Sequence, residues 1–172
     1  LIAINLKEDD QLIAVRRVKS GEDVIMVSSA GKAIKWNEGE VRSMGRDTMG
    51  VRGMTVPANT KVLGLEIARP DTDLLVITEN GYGKRTPVSE YPSHHRGGQG
   101  VFTIVMTAKK GNLSAMKVVA ESDELMIISE SGIIIRTKAA DVSELGRATQ
   151  GVRVMNVANK DKVTAVAIST ED

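Results

Sequence analysis

The chain has 172 residues, 41% hydrophobic and 26% charged, which suits a folded domain with its own core and excludes a disordered chain. Lys and Arg number 23 against 22 Asp and Glu, so total charge points to no class of partner, and the absence of Cys excludes disulfides, thiolate nucleophiles and Cys-type zinc sites. Four aromatic residues (Trp36, Tyr82, Tyr91 and Phe102) are few for stacking single-stranded nucleic acid, and no apolar run nears the ~18 residues of a membrane span.

Read along the chain, the same pattern returns. Val24-Ile25-Met26-Val27-Ser28-Ser29-Ala30-Gly31 matches Leu74-Leu75-Val76-Ile77-Thr78-Glu79-Asn80-Gly81 and Leu125-Met126-Ile127-Ile128-Ser129-Glu130-Ser131-Gly132. A base follows each glycine, at Lys35, Arg85 and Arg136. A second arginine comes later, at Arg46, Arg96 and Arg147, and then Gly50-Val51, Gly100-Val101 and Gly151-Val152. In the first repeat, residues 12–18, 24–27, 33–36 and 51–56 are predicted as strands, being short, Val- and Ile-rich and punctuated by Gly, Asn, Asp and Ser. The tripeptides ending in Gly31, Gly81 and Gly132 are predicted as hairpin turns, with glycine, and Asn80 before it, supplying positive φ. No stretch holds a 3.6-residue apolar period for three turns, which speaks against long helices.

Residues 1–172 thus divide into repeats at about 12–56, 62–106 and 113–157, with flanking strands at 1–6 and 163–168. Four strands per repeat suit a propeller-like array or a β-trefoil. The chain starts just after a repeat's glycine, stops part-way through another repeat and lacks an initiator Met. These ragged ends favour the propeller-like array and suggest a piece of a longer one. The flanking strands 1–6 and 163–168 are then expected as unpaired edges open to a second copy.

The balanced charge hides a segregation. The windows 31–54, 81–104 and 132–155 hold twelve bases against six acids, and the remainder holds eleven against sixteen. Matched positions of a repeat fold lie on matched faces, so these bases are expected along one rim, where point charges can meet duplex phosphates without reading bases. Lys35, Arg42, Arg46, Lys84, Arg85, Arg96, Arg136, Lys138 and Arg147 are the expected contacts. No catalytic constellation is found. His94-His95 lacks a third ligand for a metal, and Trp36 reads as cover for an apolar blade edge.

Three strings carry a resemblance. Glu79-Asn80-Gly81-Tyr82-Gly83-Lys84-Arg85-Thr86, followed by Glu90-Tyr91-Pro92, resembles the C-terminal domain of the DNA gyrase A protein. So do Val41-Arg42-Ser43-Met44-Gly45-Arg46, leading to Gly50-Val51-Arg52-Gly53, and Leu145-Gly146-Arg147-Ala148-Thr149-Gln150-Gly151-Val152. The likeness runs over essentially the whole chain; the A-type subunit of topoisomerase IV is the near relative, with more degenerate blades. The resemblance implies an all-β β-pinwheel, a propeller-like disc of four-stranded blades that exchange a strand between neighbours. About three blades plus an extra strand would be present here.

The resemblance further implies a non-catalytic module that binds and wraps double-stranded DNA on its basic rim. It would support ATP-dependent negative supercoiling by the holoenzyme, a type IIA topoisomerase. The cleavage tyrosine, magnesium site and ATPase would lie outside this chain, leaving it without a cofactor of its own. Implied partners are double-stranded DNA, the remainder of the gyrase A polypeptide, and the gyrase B polypeptide in an A2B2 holoenzyme. The implied setting is the bacterial cytoplasm, at the nucleoid and away from the membrane. The family's seven-residue basic box has a degenerate counterpart in His94-His95-Arg96-Gly97-Gly98-Gln99-Gly100, which keeps Arg96 and three glycines but loses two bases. The alternatives are the corresponding domain of topoisomerase IV, or a protein-interaction β-propeller that binds no DNA.

Overall fold

The strand Asp73–Thr78 shows how this sequence builds its core. Leu74 and Val76 point to one face, Leu75 and Ile77 to the other, and all six residues are buried. Such a strand must be covered on both sides, so its sheet stands between two others. The computed structural model describes residues 1–169, and its strands form three antiparallel sheets.

Eleven strands are described. They are β1 (Asp23–Ser28), β2 (Lys32–Asn37), β3 (Val62–Ile67), β4 (Asp73–Thr78), β5 (Tyr82–Pro87), β6 (Val101–Phe102), β7 (Leu113–Val119), β8 (Glu124–Ser129), β9 (Ile134–Lys138), β10 (Val152–Arg153) and β11 (Val163–Ser169). The first sheet runs β3-β1-β2-β6, the second β10-β5-β4-β7 and the third β11-β8-β9. Helix is limited to three-residue 3₁₀ turns among the described residues.

Each sheet borrows strands from further along the chain. The hairpin β1–β2 takes β3 from the second repeat on one side and β6, also from the second repeat, on the other. The hairpin β4–β5 takes β7 and β10 from the third repeat in the same way. Strands β3, β7 and β11 pack in succession and form the inner side of the arc. The outermost strands are therefore β6, β10 and, in the third sheet, β9. This is the propeller-like arrangement with strand exchange, and the trefoil alternative is set aside.

Two apolar clusters fill the spaces between sheets. Ile25, Val27, Leu74, Val76, Tyr91, Ile104 and Met116 join the first sheet to the second. Leu75, Ile77, Leu125, Ile127, Val142, Met155 and Val163 join the second to the third. A smaller cluster of Val24, Ile34, Trp36 and Met54 lies on the first sheet's other face, and there the buried Trp36 indole N–H meets no partner among the described residues.

Some sequence expectations change. Residues 12–18 form no described strand, although they match β3 in sequence: β3 pairs with β1, and residues 1–11 form no strand to play that part. Residues 51–56 likewise pair in no sheet. The expected edge at 163–168 is β11, an edge strand of the third sheet hydrogen-bonded along β8 on one side, whereas residues 1–6 are exposed and outside any strand. Gly31, Gly81 and Gly132 do take positive φ (78°, 80° and 87°), but Asn80 does not; its side chain instead donates 2.8 Å to the Lys109 carbonyl.

Candidate nucleic-acid interface

After their 3₁₀ turns, the second and third repeats run back along the preceding sheet's hairpin. Bridges Lys35↔Ser93 and Arg85↔Glu144 start this return, and β6 and β10 end it. Arg96 and Arg147 lie between these points, on the outermost segment of successive sheets. One backbone hydrogen bond recurs in all three arginine loops: Asn5 N–H to Thr48 O (3.0 Å), Thr55 N–H to Gly98 O (2.9 Å) and Val105 N–H to Thr149 O (2.9 Å). Arg46, Arg96 and Arg147 thus hang from the same local frame three times.

The nine expected contacts divide by what their cations already touch. Arg42, Arg46 and Lys138 are exposed and Arg147 is half-buried, and none of these four makes a side-chain hydrogen bond or ion pair with another described residue. Arg96 is half-buried; its Nε donates to the Glu40 carbonyl and its Nη1 to the Arg52 carbonyl, both at 3.1 Å. Its backbone N–H, helped by His95 at 3.1 Å, holds the Glu40 carboxyl below the usual carboxylate range. The degenerate box is a pinned loop. Gly97 N–H meets Gly53 O at 2.7 Å, Thr55 Oγ1 donates to Gly97 O at 2.7 Å, and the Lys32 ammonium reaches Gln99 Oε1 at 3.3 Å.

The base after each hairpin glycine is engaged internally. Arg85 is buried, with its Nη1 2.5 Å from Asp73 Oδ2 and its Nε 2.7 Å from Val142 O. Arg136 pairs with Glu124 in the same cross-hairpin position, Nε to Oε2 at 2.6 Å. Lys35 donates to Val88 O at 3.2 Å. Expecting Arg85 to meet a duplex is therefore corrected: an acid twelve residues earlier already takes its charge.

Lys84 is the second correction. It is fully buried, and its ammonium donates to Gly146 O (2.5 Å), Arg147 O (2.7 Å) and Thr149 Oγ1 (3.0 Å). Buried Lys110 does the same nearby, reaching Gln150 O at 2.6 Å. Two ammonium groups thus fasten the loop that carries Arg147 from beneath. The sequence held a signal for this, since Lys84 aligns with Ile34 and Ile135, an inward-facing apolar position in the other repeats.

Burial pushes the Lys84 ammonium down to about 8 from an ordinary 10.5, with Glu90 opposing the shift and Arg147 and Lys110 adding to it. Between those values the unfolded chain keeps a proton that the folded chain has released, so stability contributed by Lys84 rises with pH across that window. Melting temperatures of wild type and Lys84→Met, compared from pH 7.5 upward, are expected to diverge in favour of wild type above about pH 8. A constant difference would show that Lys84 keeps its proton.

The family model described as "DNA gyrase C-terminal domain, beta-propeller" matches residues 1–19, 22–69, 72–120 and 123–170. The chain belongs to the DNA gyrase A C-terminal domain family. The four matched segments correspond to successive repeats. The DNA gyrase A protein of Staphylococcus epidermidis (strain ATCC 12228 / FDA PCI 1200) is 42% identical over 99% of this chain and 19% of its own length. That of Staphylococcus aureus (strain MRSA252) is 42% identical over 99% of this chain and 20% of its own. The chain therefore spans about a fifth of these curated relatives.

A solved DNA gyrase A C-terminal domain superposes with a TM-score of 0.90 at 30% identity, covering 98% of this chain and 57% of that one. The C-terminal domain of a DNA topoisomerase IV gives 0.90 at 25% identity, covering 96% and 52%. Among the described residues no group of three or more His, Asp or Glu side chains could hold a metal ion, and no helix is long and apolar enough to cross a membrane.

Proposed function

We propose that this chain is a non-catalytic module that binds duplex DNA along its outer rim and bends it there. The observation that carries this reading is the repeated frame: Arg46, Arg96 and Arg147 on loops fixed by the same backbone hydrogen bond, once per repeat, with Arg96 and Arg147 on the outermost segments of successive sheets. Membership of the gyrase A C-terminal family supports it. A duplex offers a phosphate charge at a regular spacing, so a ligand with repeating charge meets a protein with repeating cations. Nothing in such a contact reads base edges, and binding is sequence-tolerant.

In the parent enzyme the wrapped segment would support ATP-dependent negative supercoiling, with ATP and Mg²⁺ acting in regions beyond this chain. The remainder of the gyrase A polypeptide and the gyrase B polypeptide, in an A2B2 assembly, are the proposed partners, and the bacterial cytoplasm at the nucleoid the proposed setting. The working set of rim contacts is Arg42, Arg46, Arg96, Lys138 and Arg147. Replacing Arg46, Arg96 and Arg147 together with Ala is expected to lower the slope of log K against log salt by about 2.7, about 0.9 per lost phosphate contact. Filter binding from low to moderate salt reads this directly. An unchanged slope would remove the rim from the binding site.

A further inference from the structure

At the first turn of the second sheet's outer edge, Tyr82 in β5 lies opposite Arg153 in β10. The Arg153 guanidinium carbon is 4.8 Å from the ring centroid, and its Nη2 donates to the Tyr82 hydroxyl at 2.7 Å. The Lys109 ammonium is 5.9 Å from the same ring. Lys160, exposed and held at φ 72°, lines the same cleft of about 270 Å³ with Asn80 and Asn159. Two cations thus meet one ring, and a third lines the same cleft. The cleft's acid, Asp161, is turned to the neighbouring turn, where its carboxylate accepts from Ser131 N–H (3.0 Å), Ser131 Oγ (2.7 Å) and Lys162 N–H (2.8 Å).

The first sheet carries the same device with its members exchanged. Lys32 in β2 lies opposite Phe102 in β6, its ammonium 5.1 Å from the ring centroid. Phe102 is 58% exposed, and this pair shares a cleft with Arg147. A cation set against a ring is thus present on each of the first two sheets, where the outermost strand joins its hairpin. A ring against a cation adds a cation–π attraction that helps to fix where the cation sits.

We infer that the Tyr82 cleft, with Arg153, Lys109 and Lys160, is a binding site for a phosphodiester of duplex DNA, and that Lys32 with Phe102 is its counterpart one sheet away. Recurrence on successive sheets points to a ligand that repeats its charge rather than to a single small anion. This inference rests on the rim reading above and adds to it residues outside the expected set. The role of the ring is to position the cations that meet the phosphate.

The test is a salt titration of duplex binding in the full-length chain. Arg153→Ala with Lys109→Ala is expected to lower the slope of log K against log salt by about 1.8. Tyr82→Ala is expected to weaken binding like Arg153→Ala, whereas Tyr82→Phe keeps the ring and most of the affinity. Lys109→Glu, an exposed change away from any strand, should weaken binding at least as much as Lys109→Ala, with the melting temperature as the check on folding. An unchanged slope in the double variant, while the Arg46, Arg96 and Arg147 variant loses its own, would overturn the cleft and leave the rim standing. Wild-type binding without salt dependence would remove both. Inorganic phosphate that perturbs Tyr82 fluorescence, with no change of duplex slope in the double variant, would assign the cleft to a free anion and overturn the inference.

Discussion

Asp73→Ala is expected to destabilise the chain by about 3–5 kcal/mol, as removal of one partner of a buried ion pair does. Both side chains are almost enclosed, at 7% and 12% exposure for Arg85 and Asp73. Without Asp73 the guanidinium keeps Val142 O at 2.7 Å, and its other carboxylate, Glu144, stands 3.6 Å away and half in solvent. The backbone of Arg85 also receives Leu145 N–H and donates to Ser143 O, so the third repeat's return segment docks on this residue. Loss of the pair should loosen the joint between the second and third sheets.

The double variant Asp73→Ala with Arg85→Met is expected to recover much of the loss, since it buries no lone charge. Arg46→Ala, by contrast, is expected within about 0.5 kcal/mol of wild type. Equilibrium urea unfolding of the four proteins checks all of this. A loss below about 1 kcal/mol for Asp73→Ala would mean that solvent reaches Arg85.

The same residues show what the sequence made legible. Hairpins, their glycines and the register of the repeat are local, and they follow from runs of eight residues compared with one another. The exchange of strands is not local. Residues 12–18 and β3 share a pattern, yet only β3 meets a hairpin, and no spacing says which hairpin a strand will join. Charge was misjudged in the same way. Lys84, Arg85 and Arg46 all count as bases in matched windows, but Lys84 and Arg85 lie inside because a loop some sixty residues later folds its carbonyls over them. Two comparisons across repeats carried the correction. Acids at Asp73 and Glu124 precede Arg85 and Arg136 by twelve residues, and Lys84 stands where Ile34 and Ile135 stand. The cation–ring pairs escaped notice because each joins residues about seventy apart and reverses its order from one sheet to the next.

Matched glycines need not have matched roles, and Gly81→Ala against Gly132→Ala is the sharpest test of that. Both residues close a hairpin at positive φ, 80° and 87°, so each alanine carries the left-handed strain of about 1–3 kcal/mol. Around Gly132 a Cβ would meet nothing within 4 Å. At Gly81 it would stand 2.1 Å from the Met155 carbonyl oxygen and 2.9 Å from Val157 Cγ2. That carbonyl belongs to the segment whose Val154 and Met155 N–H groups both bond Gly81 O, at 2.8 and 3.1 Å. A Cβ there must push the third repeat's return segment away and break those bonds, adding overpacking of about 1–3 kcal/mol and more where the backbone cannot shift. Gly81→Ala is therefore expected to cost about 2 kcal/mol or more beyond Gly132→Ala and to unfold first on heating. It should also weaken duplex binding, because Val152, Arg153 and the Tyr82 cleft ride on the displaced segment, whereas Gly132→Ala should leave binding as it is. Equal melting temperatures for the two variants would show that the joint between sheets is soft, and a rim set by repeated frames would lose the rigidity it requires.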